Sequence, residues 1–262
     1  MVTAMPRFAA NLSMMFNDAL FLDRFGRAAD AGFKGVEYLF PYDFSPAEIA
    51  GRLAEHGLSQ VLFNLPPGDF ANGERGIAAL PGREAEFRES VDRAIEYACA
   101  LGCPKLHAMA GLVSNESQRP HMREVYLENL RYAARRLAEH NLMLLIEPIN
   151  TRSIPGYFIN RQAEGHAILA ELGEPNLRVQ LDLFHAQIME GDLIAGFQRY
   201  RGGIGHIQIA GVPDRHEPNL GEVNYPYLFG LFDEAGYDGW IGCEYNPRGL
   251  TEDGLGWLAP WR

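Results

Sequence analysis

Short apolar runs alternate with longer amphipathic runs along the whole chain. The short runs have the composition of buried strands, and the longer runs repeat their apolar residues at helical spacing. This alternation is typical of repeated βα units around a parallel sheet. We therefore predict eight strands, at Arg7–Asn11, Gly35–Phe40, Gln60–Asn64, Lys105–Met109, Met143–Glu147, Arg178–Asp182, Gly205–Ile209 and Trp240–Glu244.

Helices are predicted between these strands, and several carry start or stop signals. Ser45 followed by Pro46 is typical of a helix N-terminus, and Gly57 and Gly102 stand where helices should end. The predicted helices are Ala19–Ala31, Pro46–His56, Arg83–Leu101, Arg119–His140, Arg161–Leu172, Leu193–Tyr200 and Tyr225–Ala235.

Eight βα units in 262 residues favour a TIM barrel, an α/β fold with (β/α)8 architecture, formed by residues 1–262 as a single domain. An open doubly wound sheet is the alternative, but no Gly-x-Gly-x-x-Gly motif follows the first strand. Three long connections follow strands, so they should lie on the face where barrel enzymes place their sites. These candidate lids are Leu65–Pro81, Ala110–Gln118 and Ile149–Asn160.

Four predicted strands in the second half of the chain end in an oxygen-bearing side chain: Glu147, Asp182, Gln208 and Glu244. Because strand ends of a barrel meet at one face, we expect these side chains to form one centre. Three carboxylates and an amide suit a hard divalent ion, Mg²⁺ or Mn²⁺, better than zinc. Each acid alone could instead cap a helix or pair with a cation, and Gln208 could hydrogen-bond within the barrel.

Other polar residues near the strand ends are candidate substrate contacts. His185 follows Asp182 by three positions and could donate to a ligand oxygen or cap a helical turn. Arg215 could clamp a substrate carboxylate, or it could pair with Glu217 or Glu222. Three further candidates lie toward the ends of the second, third and fourth predicted strands: Glu37, Asn64 and His107. Each could contact substrate, or could equally have a structural role in the barrel.

Glu147 and Glu244 have a second predicted role. Carboxylates on opposite sides of a barrel can bind a metal and also exchange protons with a substrate carbon. Such a pair suits proton transfer next to a carbonyl through a cis-enediolate, which is the chemistry of an isomerase.

Composition excludes several classes of protein. A net charge of −11 argues against a surface for nucleic acid. No run of about 18 uninterrupted apolar residues occurs, so we expect no membrane span. The three cysteines lack zinc-finger or redox spacing, which fits a reducing cytoplasmic location. The oligomeric state is not determined by these features, and the chain could form a monomer or a homo-oligomer.

Several motifs resemble the hydroxypyruvate isomerase family within the xylose-isomerase-like TIM barrels. They are Phe8–Ser13, Gly35–Glu37, Phe63–Asp69, Gly73–Gly76, Leu145–Asn150, His206–Ile209 and Arg215–Pro218. The resemblance implies that Glu147 and Glu244 are proton donor and acceptor, and that they bind Mg²⁺ or a similar ion together with Asp182 and Gln208. It implies interconversion of hydroxypyruvate and 2-hydroxy-3-oxopropanoate. Asp214 stands where the family often has Gly.

Related activities are the alternatives. The motifs are also similar to those of 2-oxotetronate isomerases, whose hydroxy-keto acid substrate has one more carbon. Ketose 3-epimerases of the wider superfamily usually place His where Gln208 stands. Apurinic endonucleases share the barrel type but resemble a histidine-rich, multi-zinc design. A barrel that only binds a sugar acid would not need the paired acids.

Overall fold

The computed structural model describes residues 6–261, and within this range eight parallel strands form a closed barrel. Each strand pairs with the next along the chain, and the last strand pairs with the first. The predicted TIM barrel is confirmed. The strands are β1 Arg7–Asn11, β2 Gly35–Glu37, β3 Ser59–Asn64, β4 Lys105–His107, β5 Met143–Ile146, β6 Leu177–Asp182, β7 Ile204–Ile209 and β8 Trp240–Cys243.

Helices surround the barrel, and their ends follow the local signals in the sequence. Ser45 and Glu48 form a reciprocal capping box at the start of the second helix. Gly57 and Gly102 end two helices with positive φ angles of 62° each. The α-helices are α1 Arg24–Asp30, α2 Pro46–His56, α3 Glu84–Leu101, α4 Arg119–Ala138, α5 Gln162–Leu172, α6 Leu183–Met189, α7 Leu193–Tyr200 and α8 Tyr225–Glu234.

The predicted elements differ from the structure mainly at the ends of strands. β5 ends at Ile146 and β8 at Cys243, so Glu147 and Glu244 are each the first residue beyond a strand. β2 and β4 are also shorter than predicted, ending at Glu37 and His107. The helix α6 and a 3-10 segment, Glu252–Trp261, were not predicted.

Apolar side chains pack in two places. A large cluster fills the layer between the barrel and its helices. A small cluster of Ala9, Val61, Leu62 and Leu145 fills part of the barrel interior. The polar strand ends are therefore left to form a site at the mouth. No helix within residues 6–261 is long and apolar enough to cross a membrane.

Candidate active site

A pocket of about 150 Å³ opens at the barrel mouth among the strand ends. Two of the predicted lids supply apolar walls, through Phe70 in the first and Ile149 and Ile154 in the third. The connection Ala110–Gln118 instead bridges to the other two loops. Every predicted site residue except Asp182 lines the pocket: Glu37, Asn64, His107, Glu147, His185, Gln208, Arg215 and Glu244.

Glu147 is buried at this mouth, with an exposed fraction of 5%. Burial raises the pKa of Glu147 well above its ordinary value, and the charges of Glu244 and Asp182 raise it further. Its Oε1 is buried without a hydrogen-bond partner. A buried carboxylate oxygen of this kind is costly unless a proton, a cation or a ligand satisfies it.

Asp182 and His185 lie beside Glu147. Asp182 is the N-cap of α6, where its Oδ1 accepts the Phe184 N–H at 2.8 Å. Its Oδ2 is 3.4 Å from His185 Nε2, which in turn is 3.8 Å from Glu147 Oε1. Ligand-type atoms of Glu147, Asp182 and His185 thus all lie within 4.8 Å of one another. The unpartnered Oε1 of Glu147 and the carboxylate pair fit a cation there.

The proton on His185 can be placed from its neighbours. The side-chain oxygen of Asn150 accepts two backbone N–H groups, from Arg152 and Ser153. The Asn150 amide nitrogen therefore faces His185 Nδ1, at 2.5 Å. Burial lowers the pKa of His185 well below its ordinary value, so the ring is neutral. With Nδ1 accepting, the ring carries its proton on Nε2 and presents a donor to the site.

Arg215 reaches into the acidic centre. Its Nη2 donates to Asp182 Oδ2 at 3.0 Å and to Glu244 Oε2 at 2.7 Å. The alternative pairing with Glu217 or Glu222 is wrong, because the guanidinium pairs with the acids of the site. Burial opposes the charge on Arg215, but Glu244, Asp182 and Glu147 outweigh it and raise its pKa.

Glu244 lines the same pocket as Glu147. Burial raises the pKa of Glu244 to about 8, although the charge of Arg215 acts in the opposite direction. The other oxygen, Oε1, lies 3.4 Å from the Asn11 amide. The two acids that we predicted as a proton-transfer pair are thus both buried and both have raised pKa values.

A hydrogen-bonded network lies beneath these acids. Glu37 accepts from the Gln208 amide at 2.7 Å and lies 2.7 Å from His206 Nε2. The Gln208 oxygen accepts from Gln180 at 2.7 Å. Gly242 on β8 leaves room for this network, because a Cβ there would lie 2.4 Å from the Glu37 carboxylate oxygens. Glu37 thus fixes Gln208, whose oxygen keeps a second lone pair for a ligand.

Asn64 and His107 form a second polar pair in the pocket. Asn64 Oδ1 lies 3.2 Å from His107 Nδ1, so this nitrogen carries the ring proton and donates it. Burial lowers the pKa of His107 to about 3, which keeps the ring neutral. Its Nε2 has no partner and is left as an acceptor. A substrate hydroxyl could satisfy it.

Three polar residues of the site were not predicted: Asn11, Asn150 and Gln180. Asn11 ends β1, and Gln180 lies two positions before Asp182 on the same strand face. The strand-end rule and the strand period could have found both. Asn150 lies in the loop after β5, and its contact with His185 has no signal in the sequence.

Comparison with known proteins gives consistent results. The family profile described as xylose isomerase-like TIM barrel matches residues 25–261. The chain is 59% identical over 257 residues to a 2-oxo-tetronate isomerase of Cupriavidus necator, covering 98% of this chain and 99% of the relative. It is 46% identical over 258 residues to a hydroxypyruvate isomerase of Escherichia coli, covering 98% and 100%.

A solved structure is also similar over its full length. The crystal structure of an AP endonuclease, family 2, from Brucella melitensis superposes with a TM-score of 0.97. The two chains are 58% identical, and the match covers 98% of this chain and 100% of the other.

Proposed function

Because the chain belongs to the xylose isomerase-like TIM barrel family, as a sugar-acid isomerase of the hydroxypyruvate and 2-oxo-tetronate isomerase group, we propose that it isomerises 2-oxo-tetronate. The observation that carries the choice of substrate is the 59% identity to the 2-oxo-tetronate isomerase, against 46% for the hydroxypyruvate isomerase. Hydroxypyruvate, our first expectation from the sequence, is the second candidate.

The proposed reaction moves a carbonyl group by one carbon. A proton leaves carbon 3 of the 2-oxo acid, a cis-enediolate spans carbons 2 and 3, and a proton is added to carbon 2. The hydroxyl proton passes from oxygen 3 to oxygen 2, so the product is the 3-oxo isomer with no change in composition. Hydroxypyruvate would react through the same atoms, since it lacks only the terminal carbon of the larger acid.

Glu147 and Glu244 are the residues we assign to proton transfer. One removes the proton from carbon 3 and the other delivers a proton to carbon 2. Burial raises the pKa of both carboxyl groups, as is common for residues that transfer protons. Burial also makes each carboxylate a stronger base than it would be in water.

The donor set at the site fits a divalent cation. We assign Glu147, Asp182, Gln208 and Glu244 as the residues that would hold it, and their oxygen atoms favour Mg²⁺ or Mn²⁺. When bound, such an ion would polarise the substrate carbonyl and lower the barrel mouth's negative charge. We assign His185 as a hydrogen-bond donor to substrate, because Asn150 directs its protonated Nε2 toward the acids.

The remaining polar residues suit a small hydroxy-keto acid. Arg215 provides a forked cation for the substrate carboxylate. The free Nε2 of His107 accepts a hydrogen bond from a substrate hydroxyl, with Asn64 holding the ring in that orientation. Glu37 acts more indirectly, through the Gln208 side chain that it fixes.

The function of an apurinic endonuclease fits these residues less well than that of an isomerase. His107, His185 and His206 are each committed to hydrogen bonds with Asn64, Asn150 and Glu37 respectively. Among the described residues, the group able to hold a metal contains one histidine. The net charge of −11 also opposes binding to DNA phosphates.

The test is a comparison of kcat/KM for 2-oxo-tetronate and hydroxypyruvate on the purified enzyme. We expect a higher value for 2-oxo-tetronate, because the terminal hydroxymethyl group adds contacts in the pocket. A higher kcat/KM for hydroxypyruvate would instead make the three-carbon acid the substrate.

A further inference from the structure

We propose that Arg215 occupies the cation position between Asp182 and Glu244 and that loading of the metal displaces its guanidinium, which then becomes available to the substrate carboxylate. This rests on the proposed function for the identity of the metal ligands and of the substrate. The exchange itself concerns only the side chains of this chain and a divalent ion.

The geometry that carries the proposal is the position of one atom. Arg215 Nη2 lies 3.0 Å from Asp182 Oδ2 and 2.7 Å from Glu244 Oε2, so it bridges the two proposed ligands. A divalent ion held by Asp182 and Glu244 would compete with the guanidinium for these two side chains, because repulsion between two cations at contact in a buried site would cost several kcal/mol.

The surroundings of Arg215 show which part of the residue can move. Its main chain is held at both ends, since its N–H donates to the Gly211 carbonyl at 2.7 Å and its carbonyl accepts from Asn246 at 2.8 Å. The side chain lines the pocket and is 16% exposed. A displaced guanidinium would give up the hydrogen bond from its Nε to the Glu244 carbonyl, at 3.1 Å, and could turn into the pocket while the main chain stays in place.

One contact of the guanidinium is unfavourable. Arg215 Nη1 lies 3.3 Å from His185 Nε2, and both atoms carry protons when Asn150 holds His185 in the orientation described above. Two donors facing each other weaken the position of Arg215. Its guanidinium also stacks on Phe184, 4.9 Å from the ring centre, a contact that does not depend on the acids.

This arrangement couples two events. Without metal, Arg215 is the cation that both Asp182 and Glu244 contact. With metal, the ion takes over that role and Arg215 turns to the pocket. Arg215 would then contact the substrate carboxylate only in metal-loaded enzyme. The enzyme would therefore bind its acid substrate only when the metal needed for the reaction is present.

The test measures metal affinity directly, by Mn²⁺ binding followed with electron paramagnetic resonance and without substrate. Arg215→Met should bind Mn²⁺ about tenfold more tightly or better than wild type, because no charged hydrogen bonds need to be broken first. Arg123→Met is the matched control, since Arg123 pairs with Glu171 at the surface. We expect no change in affinity for it. An affinity for Arg215→Met equal to or weaker than wild type would overturn the proposal.

A second variant tests whether the metal displaces the guanidinium directly or whether removal of any nearby positive charge tightens Mn²⁺ binding. In Arg215→Ala, added methylguanidinium should fill the vacated position and weaken Mn²⁺ binding in competition, whereas wild type should be insensitive to it. Unchanged Mn²⁺ binding by Arg215→Ala in methylguanidinium would contradict the exchange. Arg215→Lys keeps one charge and provides a further folded variant, with an expected affinity between wild type and Arg215→Met. Because no arm uses substrate, exchange can hold even if the isomerase proposal fails.

Discussion

Glu147 and Glu244 combine properties that a stable protein core would avoid. Both are buried, both have raised pKa values, and each raises the energy of the other when ionised. Arg215 offsets part of this cost at Glu244 but leaves Glu147 Oε1 without a partner. Buried acids with shifted pKa values cost stability, and they are typical of functional sites.

The raised pKa of Glu244 predicts how stability depends on pH. Because the folded-state pKa is about 8 against an ordinary 4.5, the folded protein keeps a proton there that the unfolded chain releases. The contribution of Glu244 to stability is therefore present below pH 4.5 and is lost as pH rises toward 8.

Glu244→Gln removes that titration and should stabilise the metal-free protein at the upper end of this range. We expect a gain of about 1–2 kcal/mol in the free energy of unfolding near pH 8, shrinking toward pH 5. Urea unfolding in the presence of a chelator measures it. A Gln variant less stable than wild type at both pH values would contradict the assigned pKa.

At the scale of elements, a residue from β2 restricts which side chain β8 can carry at Gly242. Gly242 faces the carboxylate of Glu37 on β2, which in turn holds Gln208 on β7 and His206. The absence of a side chain on one strand thus lets a network form from two others. A larger residue would have to move a buried carboxylate that has three hydrogen-bond partners.

Gly242→Ala should therefore destabilise the protein by about 1–3 kcal/mol and lower its activity, because the new methyl group displaces Glu37 and with it Gln208. Gly230→Ala in α8 is the matched control, since no atom lies within 4 Å of its Cβ position. There we expect unchanged activity and stability equal to or above wild type. Thermal unfolding and turnover measure both, and a Gly242→Ala enzyme equal to wild type would rule out the tight fit.

The pattern of apolar residues predicted the elements well, and the reasons for its errors are physical. Buried parallel strands have continuous apolar sequences, so all eight were located. The predicted ends of β5 and β8 were one residue too long, because Glu147 and Glu244 follow these strands directly; the Glu244 N–H still donates to the Ile209 carbonyl at 3.2 Å. The helix α6 begins at once after β6, without the polar loop that normally separates a strand from a helix.

For the whole molecule, closure of the barrel determines which distant residues meet. Glu37 and His206 are 169 positions apart in the chain and lie 2.7 Å apart in the fold. Because the acids stand at the ends of predicted strands, the sequence was enough to predict that they meet at the barrel mouth. The partner of Arg215 could not be predicted, because nearby Glu217 and Glu222 are equally acidic and only the path of the loop excludes them.

The acids that the barrel mouth brings together lead us to predict metal dependence. EDTA should abolish turnover, and Mg²⁺ or Mn²⁺ should restore it, because three buried carboxylates need a cation to be compatible with an anionic substrate. Thermal unfolding should also shift upward when either ion is added to the metal-free protein. An enzyme whose turnover and melting temperature are both indifferent to EDTA would refute the metal.

The most direct test of the central claim is the fate of protons during turnover. In deuterated water, wild-type enzyme should form 3-oxo product that carries deuterium at carbon 2, as measured by proton NMR of the sugar acid. Glu147→Gln and Glu244→Gln should fold normally and lose turnover by about a thousandfold. Turnover near the wild-type rate in both variants, or product formed without proton transfer at carbons 2 and 3, would contradict the assignment of these two residues.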